Sequence, residues 1–231
     1  YRQVQQLNTE LESQVQERTA QLQQALAFEA MLKRITDAVR DSLDEAEILQ
    51  TAVQELVLGL GVKGCDAALH NLEQQTSVIC YEYLQPEVPA RHGTTIVMAD
   101  FQEIYDQLFQ GWHFQFCRLT ADMVRLLDQP FSLLACPMVN DQGVMGDLWL
   151  FKPRDQAFSN QEIRLVQQVA NHCAIAVRQA RLYQAAQVQV QTLEGLNRLK
   201  DEFLSTVSHE LRTPMSNMKM AIHMLQTRPD S

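Results

Sequence analysis

Between Ser159 and Pro214 the chain has no proline and a single glycine, Gly195. Ser159-Asn160-Gln161-Glu162 opens the stretch as a capping box, with Ser159 as N-cap and Glu162 three residues on. Ile163, Val166, Val169, Cys173, Val177 and Ala180 then keep one apolar stripe at helical spacing. At 1.5 Å per residue, a helix over this span is roughly 80 Å long. No globular core needs such a length. A helix much longer than about 25 residues points to a coiled coil or a signalling rod. The chain therefore has to combine a compact domain with a rod.

The other end repeats the theme. From about Tyr1 to Gly59 the sequence reads as nearly continuous helix, with no glycine or proline before Gly59. Val4, Leu7 and Leu11 follow heptad steps, and Val15 follows Leu11 by four residues, a stutter. Arg18, Leu22 and Ala25 resume the spacing, and Leu32, Ile35 and Val39 carry it onward. This favours a parallel dimeric coiled coil, weakened by abundant Gln and by Arg18 in the seam. The competing reading is one long amphipathic helix packed on its own domain.

Between the two rods lies an alternation of elements. Ile48, Ala52, Val53 and Leu56 share a face of a helix around 45–58, which Gly59, Gly61 and Gly64 are expected to break. Along 65–72, Ala67 and Leu69 alternate with Asp66, Ala68 and His70, a strand pattern. Residues 77–84 are rich in β-branched, aromatic and Cys side chains. Pro86 and Pro89 mark a loop, 94–98 reads as a third strand and 101–110 as a helix. Apolar runs at 131–139 and 144–151 flank Asn140-Asp141-Gln142-Gly143, a hairpin turn signal.

Near the C-terminus, Phe203-Leu204-Ser205-Thr206-Val207-Ser208-His209-Glu210-Leu211-Arg212-Thr213-Pro214-Met215 shows a polar histidine on a helix. Leu199, Phe203, Val207 and Leu211 form the seam, and His209 points roughly 200° away from Val207 at 100° per residue. Thr213 lies one turn beyond His209, on its face. Imidazole has an unperturbed pKa of about 6.5, so much of it is a neutral nucleophile at pH 7. Glu210 beside it is a candidate hydrogen-bond acceptor and general base. Pro214 lacks an N–H and would bend the helix just after His209.

This run strongly resembles the H-box of sensor histidine kinases, in their dimerisation and phosphoacceptor helix. The resemblance implies that His209 is phosphorylated from ATP and that Thr213 positions a water for dephosphorylation. It also implies a homodimer, and phosphate passing to an aspartate on the receiver domain of a response regulator. ATP would be held by a separate catalytic domain. These 231 residues contain no P-loop, and no glycine follows Gly195, so no glycine-rich ATP-binding motif comes after the H-box; this chain is expected not to autophosphorylate alone.

The middle segment resembles a GAF domain. The carrying residues are Leu133-Leu134-Ala135-Cys136-Pro137-Met138, Gly143-Val144-Met145-Gly146-Asp147-Leu148-Trp149-Leu150, and Phe158 through Tyr183, including Val169-Ala170-Asn171-His172-Cys173-Ala174-Ile175-Ala176-Val177. The implied fold class is α+β: an antiparallel sheet with helices on one face, often a pocket on the other, and long coiled-coil signalling helices at both ends. The order of GAF domain and H-box is common in cyanobacterial sensor kinases, which suggests that source. The expected division is 1–31 coiled coil, 32–183 GAF-like sensor, 184–200 linker helix and 201–231 the start of the phosphoacceptor domain.

Some GAF relatives bind a bilin through a cysteine followed by histidine. Here Cys117 is followed by Arg118 and no Cys-His pair occurs, so a bilin is not expected and the GAF ligand stays unknown. Tyr81, Tyr83, Trp112, Phe114, Phe116 and Trp149 are pocket candidates, with core packing the simpler reading. His70, His92, His113, His172 and His223 have no partner pattern. The five cysteines, Cys65, Cys80, Cys117, Cys136 and Cys173, form no CxxC pair. Buried reduced thiols are expected, with no metal and no iron–sulfur cluster.

A formal net charge of −9 argues against nonspecific binding to nucleic acid or to an anionic membrane. No apolar run approaches the roughly 18 residues of a membrane span, and no signal peptide is visible. The expectation is a cytoplasmic piece of a longer kinase, without direct membrane contact. A signal would change the packing of paired helices and so gate access to His209. The alternative is a non-enzymatic GAF ligand-binding or dimerisation module with a silent H-box. A purely structural coiled-coil spacer is a further rival.

Overall fold

The structure is a computed structural model and describes residues 2–116 and 131–226. The side chains of Val4, Leu7 and Val39, and the pair Cys117 and Arg118, lie outside the described residues. Contacts divide the chain into two units, residues 1–181 and 182–231.

In the first unit, helices α1 (Arg2–Asp41) and α2 (Glu45–Leu60) are separate. The near-continuous helix expected up to Gly59 is interrupted because Asp44 caps α2, its carboxylate accepting from Ala46 N–H at 2.7 Å and Glu47 N–H at 3.4 Å. Gly59 does not break α2. The helix ends at Gly61, whose φ of 62° is the left-handed cap that glycine adopts without penalty.

Six strands follow: β1 (Gly64–Asn71), β2 (Thr76–Leu84), β3 (Thr95–Val97), β4 (Phe114–Phe116), β5 (Phe131–Asn140) and β6 (Gly143–Pro153). They form one antiparallel sheet in the order β3-β2-β1-β6-β5-β4. Helix α3 (Gln102–Phe109) separates β3 from β4, and α4 (Asn160–Gln226) follows β6. The hairpin turn forms where expected, with Gln142 N–H donating to Asn140 Oδ1 at 2.8 Å.

Two cores lie on opposite sheet faces. One holds Ile35, Leu49, Val53 and Leu56 from α1 and α2, Cys65, Ala67, Leu134, Cys136, Leu148 and Leu150 from the sheet, and Val166, Val169, Cys173 and Val177 from α4. The other holds Ile104, Tyr105 and Leu108 of α3 with Val88, Met98, Phe131, Leu133, Ala135 and Phe151. Helices are thus not confined to one face. With both faces covered, β5 and β6 are buried almost continuously, which is why they read as unbroken apolar runs.

The apolar stripe of α1 divides. Met31 and Ile35 are buried against α2, while Leu11, Val15, Leu22 and Leu26 are exposed in the single chain. In the second unit, α4 carries a long exposed apolar series that includes Leu199, Phe203 and Leu211. No helix among the described residues is long and apolar enough to cross a membrane.

Candidate functional site

His209, Glu210 and Thr213 lie on α4, all exposed. Helix assignment continues through Pro214. Proline has no N–H to offer the carbonyl four residues back, which here is that of Glu210. One residue earlier the Thr213 hydroxyl donates to the His209 carbonyl at 3.5 Å, a local reinforcement of the same turn. Among the described residues the His209 and Glu210 side chains make no hydrogen bond or ion pair with any partner, so the imidazole is open to an incoming group. Adjacent helical positions do not face each other, so Glu210 reaches the ring only through a side-chain rearrangement.

The sensor domain holds a second polar constellation, and sequence reading missed it. Antiparallel partners share a sheet face. On β1, Asp66 and His70 point to the α3 side, opposite Ala67 and Leu69. A register shift between Ala67 and Ala68 keeps Ser77, Ile79 and Glu82 of β2 on that same face. From β6 come Asp147 and Trp149. His70 Nε2 meets Asp147 Oδ2 at 2.6 Å, both side chains fully buried. The Trp149 indole N–H donates to the other oxygen of Asp147 at 2.8 Å. A carboxylate only accepts, which puts a hydrogen on His70 Nε2. Tyr105 and Phe109 of α3 pack edge-on to the His70 ring at 5.7 and 5.6 Å.

Beside this pair, Arg91 from the β2–β3 connection donates to Asp66 and lies over the Phe151 ring at 4.6 Å. Asp66 is buried, and its carboxyl is raised to about 7 by that burial. The Arg91 charge opposes the rise, while Asp147 and Glu82 add to it. Burial, with Asp147 adding to it, also raises the Tyr105 phenol. Asp66 Oδ1, His70 Nδ1 and Arg91 Nε are buried and have no hydrogen-bond partner among the described residues.

The pocket candidates separate. Phe114, Phe116 and Trp149 meet on the α3 side, at 5.1 and 6.4 Å. Tyr81 and Tyr83 pack on the opposite core, and Trp112 is exposed. Of the histidines, His70 has the buried partner, while His113 meets Gln167 at 3.1 Å on the surface. Cys65, Cys136 and Cys173 are buried and close enough to influence one another; burial pushes all three thiols up, Cys173 to about 12. Low reactivity follows. No cluster of His, Cys, Asp and Glu among the described residues has the geometry of a metal site.

Residues 25–178 match the GAF domain family and residues 199–231 the His Kinase A (phospho-acceptor) domain. The chain belongs to the GAF domain family. With the phospho-acceptor match that follows it, the chain is a sensor and phosphoacceptor region of two-component kinase type. Among curated relatives, it is 27% identical over 250 residues to the circadian input-output histidine kinase CikA of Thermosynechococcus vestitus, covering 86% of this chain and 32% of that protein. It is 37% identical over 81 residues to CikA of Synechococcus elongatus, covering 27% of this chain and 11% of that protein. The chain thus spans a third or less of the length of these relatives. Among solved structures, the phycoerythrobilin-bound GAF domain of a cyanobacterial phytochrome superposes with a TM-score of 0.60 at 16% identity, over 68% of this chain and 97% of that one. At that identity the likeness is one of fold.

Proposed function

We propose that this chain relays a signal from its GAF domain, through paired helices, to His209, which accepts the γ-phosphoryl group of ATP. One ring nitrogen attacks phosphorus, a P–N bond forms, the bond to the β-phosphate oxygen breaks and ADP leaves. The departing ring proton passes to Glu210. Thr213 positions water for the reverse, hydrolytic direction. The phosphoryl group then moves to an aspartate on the receiver domain of a response regulator. Such transfer depends mainly on positioning and electrostatics, so a change in helix packing can gate it.

The observation that carries this reading is an exposed imidazole at position 209, in a segment matching the phospho-acceptor domain. The exposed series Leu199, Phe203 and Leu211 supplies the face on which a second copy would pair. ATP would come from a catalytic domain outside these 231 residues. This chain would work in the cytoplasm, with no nucleic-acid partner and no direct membrane contact of its own. A bilin is not part of the reading, since the chain lacks a Cys-His pair.

The test is transphosphorylation. Full chain is incubated with radiolabelled ATP and the ATP-binding domain of a CikA-type kinase. Label is expected on the wild-type chain and on His223→Ala, and not on His209→Ala. Label retained by His209→Ala refutes the assignment.

A further inference from the structure

We propose that the buried Asp66–Arg91 ion pair is a proton-operated latch: a proton on Asp66 frees the Arg91 guanidinium and loosens the β2–β3 connection, residues 85–94, over the α3-side core. The proposal goes beyond the phosphoacceptor reading and does not depend on it.

The geometry isolates the pair. The ends of the connection are fixed by backbone bonds, from Gln85 N–H to Lys63 O at 2.9 Å and from Gly93 N–H to Ile79 O at 2.8 Å. Between those ends, Val88 and Arg91 are the side chains that enter the domain interior, while Glu87 pairs with Lys63 at 3.6 Å on the exposed side. Val88 is an apolar plug, 5% exposed. Arg91 is the polar tie, its side chain 11% exposed against an Asp66 side chain at 1%. A largely buried guanidinium is tolerated while a carboxylate faces it and is costly once that charge is gone. Because Arg91 sits on a connection rather than on a strand, it can swing to water.

Among the described residues, the two nearby carboxylates already hold other donors. Asp147 is the other fully buried carboxylate among the described residues, and both its oxygens are spent on His70 and Trp149. Glu82 on β2 already accepts the Arg91 backbone N–H at 2.8 Å. The groups facing Asp66 are therefore Arg91 from the connection, His70 from its own strand, Glu82 from β2, Asp147 from β6 and the Tyr105 phenol from α3. Burial makes a proton on Asp66 favourable against the opposing Arg91 charge, and the two further carboxylates, Asp147 and Glu82, add to this. With the Asp66 carboxyl at about 7, the protonated fraction rises about tenfold between pH 8 and pH 6.

The experiment is hydrogen exchange of the whole chain, read by mass spectrometry and corrected for the intrinsic pH dependence of amide exchange. Peptides covering 85–94 are expected to exchange about tenfold faster at pH 6 than at pH 8, while the β5–β6 hairpin is unchanged. Asp66→Asn removes the charge permanently, so the same peptides should exchange fast at both pH values. Arg91→Leu should likewise lose the pH dependence. Wild-type protection that does not change between pH 8 and 6 overturns the latch, as does an Asp66→Asn chain that stays protected. A rise spread over the entire sheet also overturns it, because the opening is then not local. The wild-type profile alone decides the matter should either variant fail to fold.

Discussion

Lys152 on β6 donates to Glu162 in the first turn of α4 at 2.7 Å, with both side chains largely buried. Glu162 also accepts the Ser159 N–H at 2.8 Å, and Ser159 Oγ accepts the Glu162 N–H at 3.3 Å. The capping box therefore starts the helix that carries His209 and also ties it to the sheet. Ser159→Ala is expected to cost about 1 kcal/mol in urea unfolding.

The same site has a signed pH dependence. Burial pushes the Glu162 carboxyl up, but the Lys152 bond and charge and the Ser159 bonds outweigh it, leaving it below its ordinary value. A depressed acid contributes stability that is present above its unfolded value and is lost as pH falls through the folded one. The Tm gap between wild type and Glu162→Gln should therefore be widest near pH 7 and should narrow as pH falls below about 4.5. A gap that is constant with pH would show that the ion pair contributes nothing.

Asp147 satisfies His70 and Trp149 at once. Asp147→Ala leaves both donors buried without their acceptor, and a loss of about 3 to 5 kcal/mol is expected. The double variant Asp147→Leu with His70→Leu should lose less than the single one, because only the Trp149 N–H is then left without its acceptor. Chemical denaturation measures both. In a Trp112→Phe background, Trp149 fluorescence reports whether the site has opened.

A β-carbon at Gly146 would lie 2.2 Å from the Ala68 carbonyl oxygen, a backbone atom that cannot step aside. At Gly59 it would meet Met31 Sδ at 1.9 Å, the flexible end of a side chain. Gly146→Ala is expected to cost about 2 to 3 kcal/mol. Gly59→Ala should fall within about 1 kcal/mol of wild type, since the helix gain offsets the repacking of Met31. Equal losses at the two positions would contradict this ordering.

Much of the sheet was legible because its strands carry local signals. Alternation in 65–72 correctly set Asp66, Ala68 and His70 apart from Ala67 and Leu69, and turn chemistry located the hairpin. The partners of those residues were not legible. Asp147 lies 77 residues after His70 in sequence, and Arg91 comes from a loop with no periodicity. Pairing across the sheet depends on strand order, which no local pattern encodes. The same ignorance placed Tyr81 and Tyr83 with Trp149, although they occupy the opposite face. Gly59 was misread as a helix breaker because its close approach to Met31 is a tertiary contact. His209 stands out in the sequence through its contiguous motif, whereas the β4 strand gave no signal long enough to notice.

Phe203 is 66% exposed in the single chain, an arrangement that a paired helix would relieve. Phe203→Glu should shift the chain toward monomer in sedimentation velocity, while Arg212→Ala, off the seam, should not. A wild-type chain that is already monomeric would remove the pairing step from the relay.

The most direct measurement is site-resolved mass spectrometry under conditions that preserve phosphoramidates, after incubation with ATP and the ATP-binding domain. The expected result is one acid-labile phosphoryl group, located on His209. An acid-stable group, or modification of another histidine with His209 left bare, would contradict the central claim.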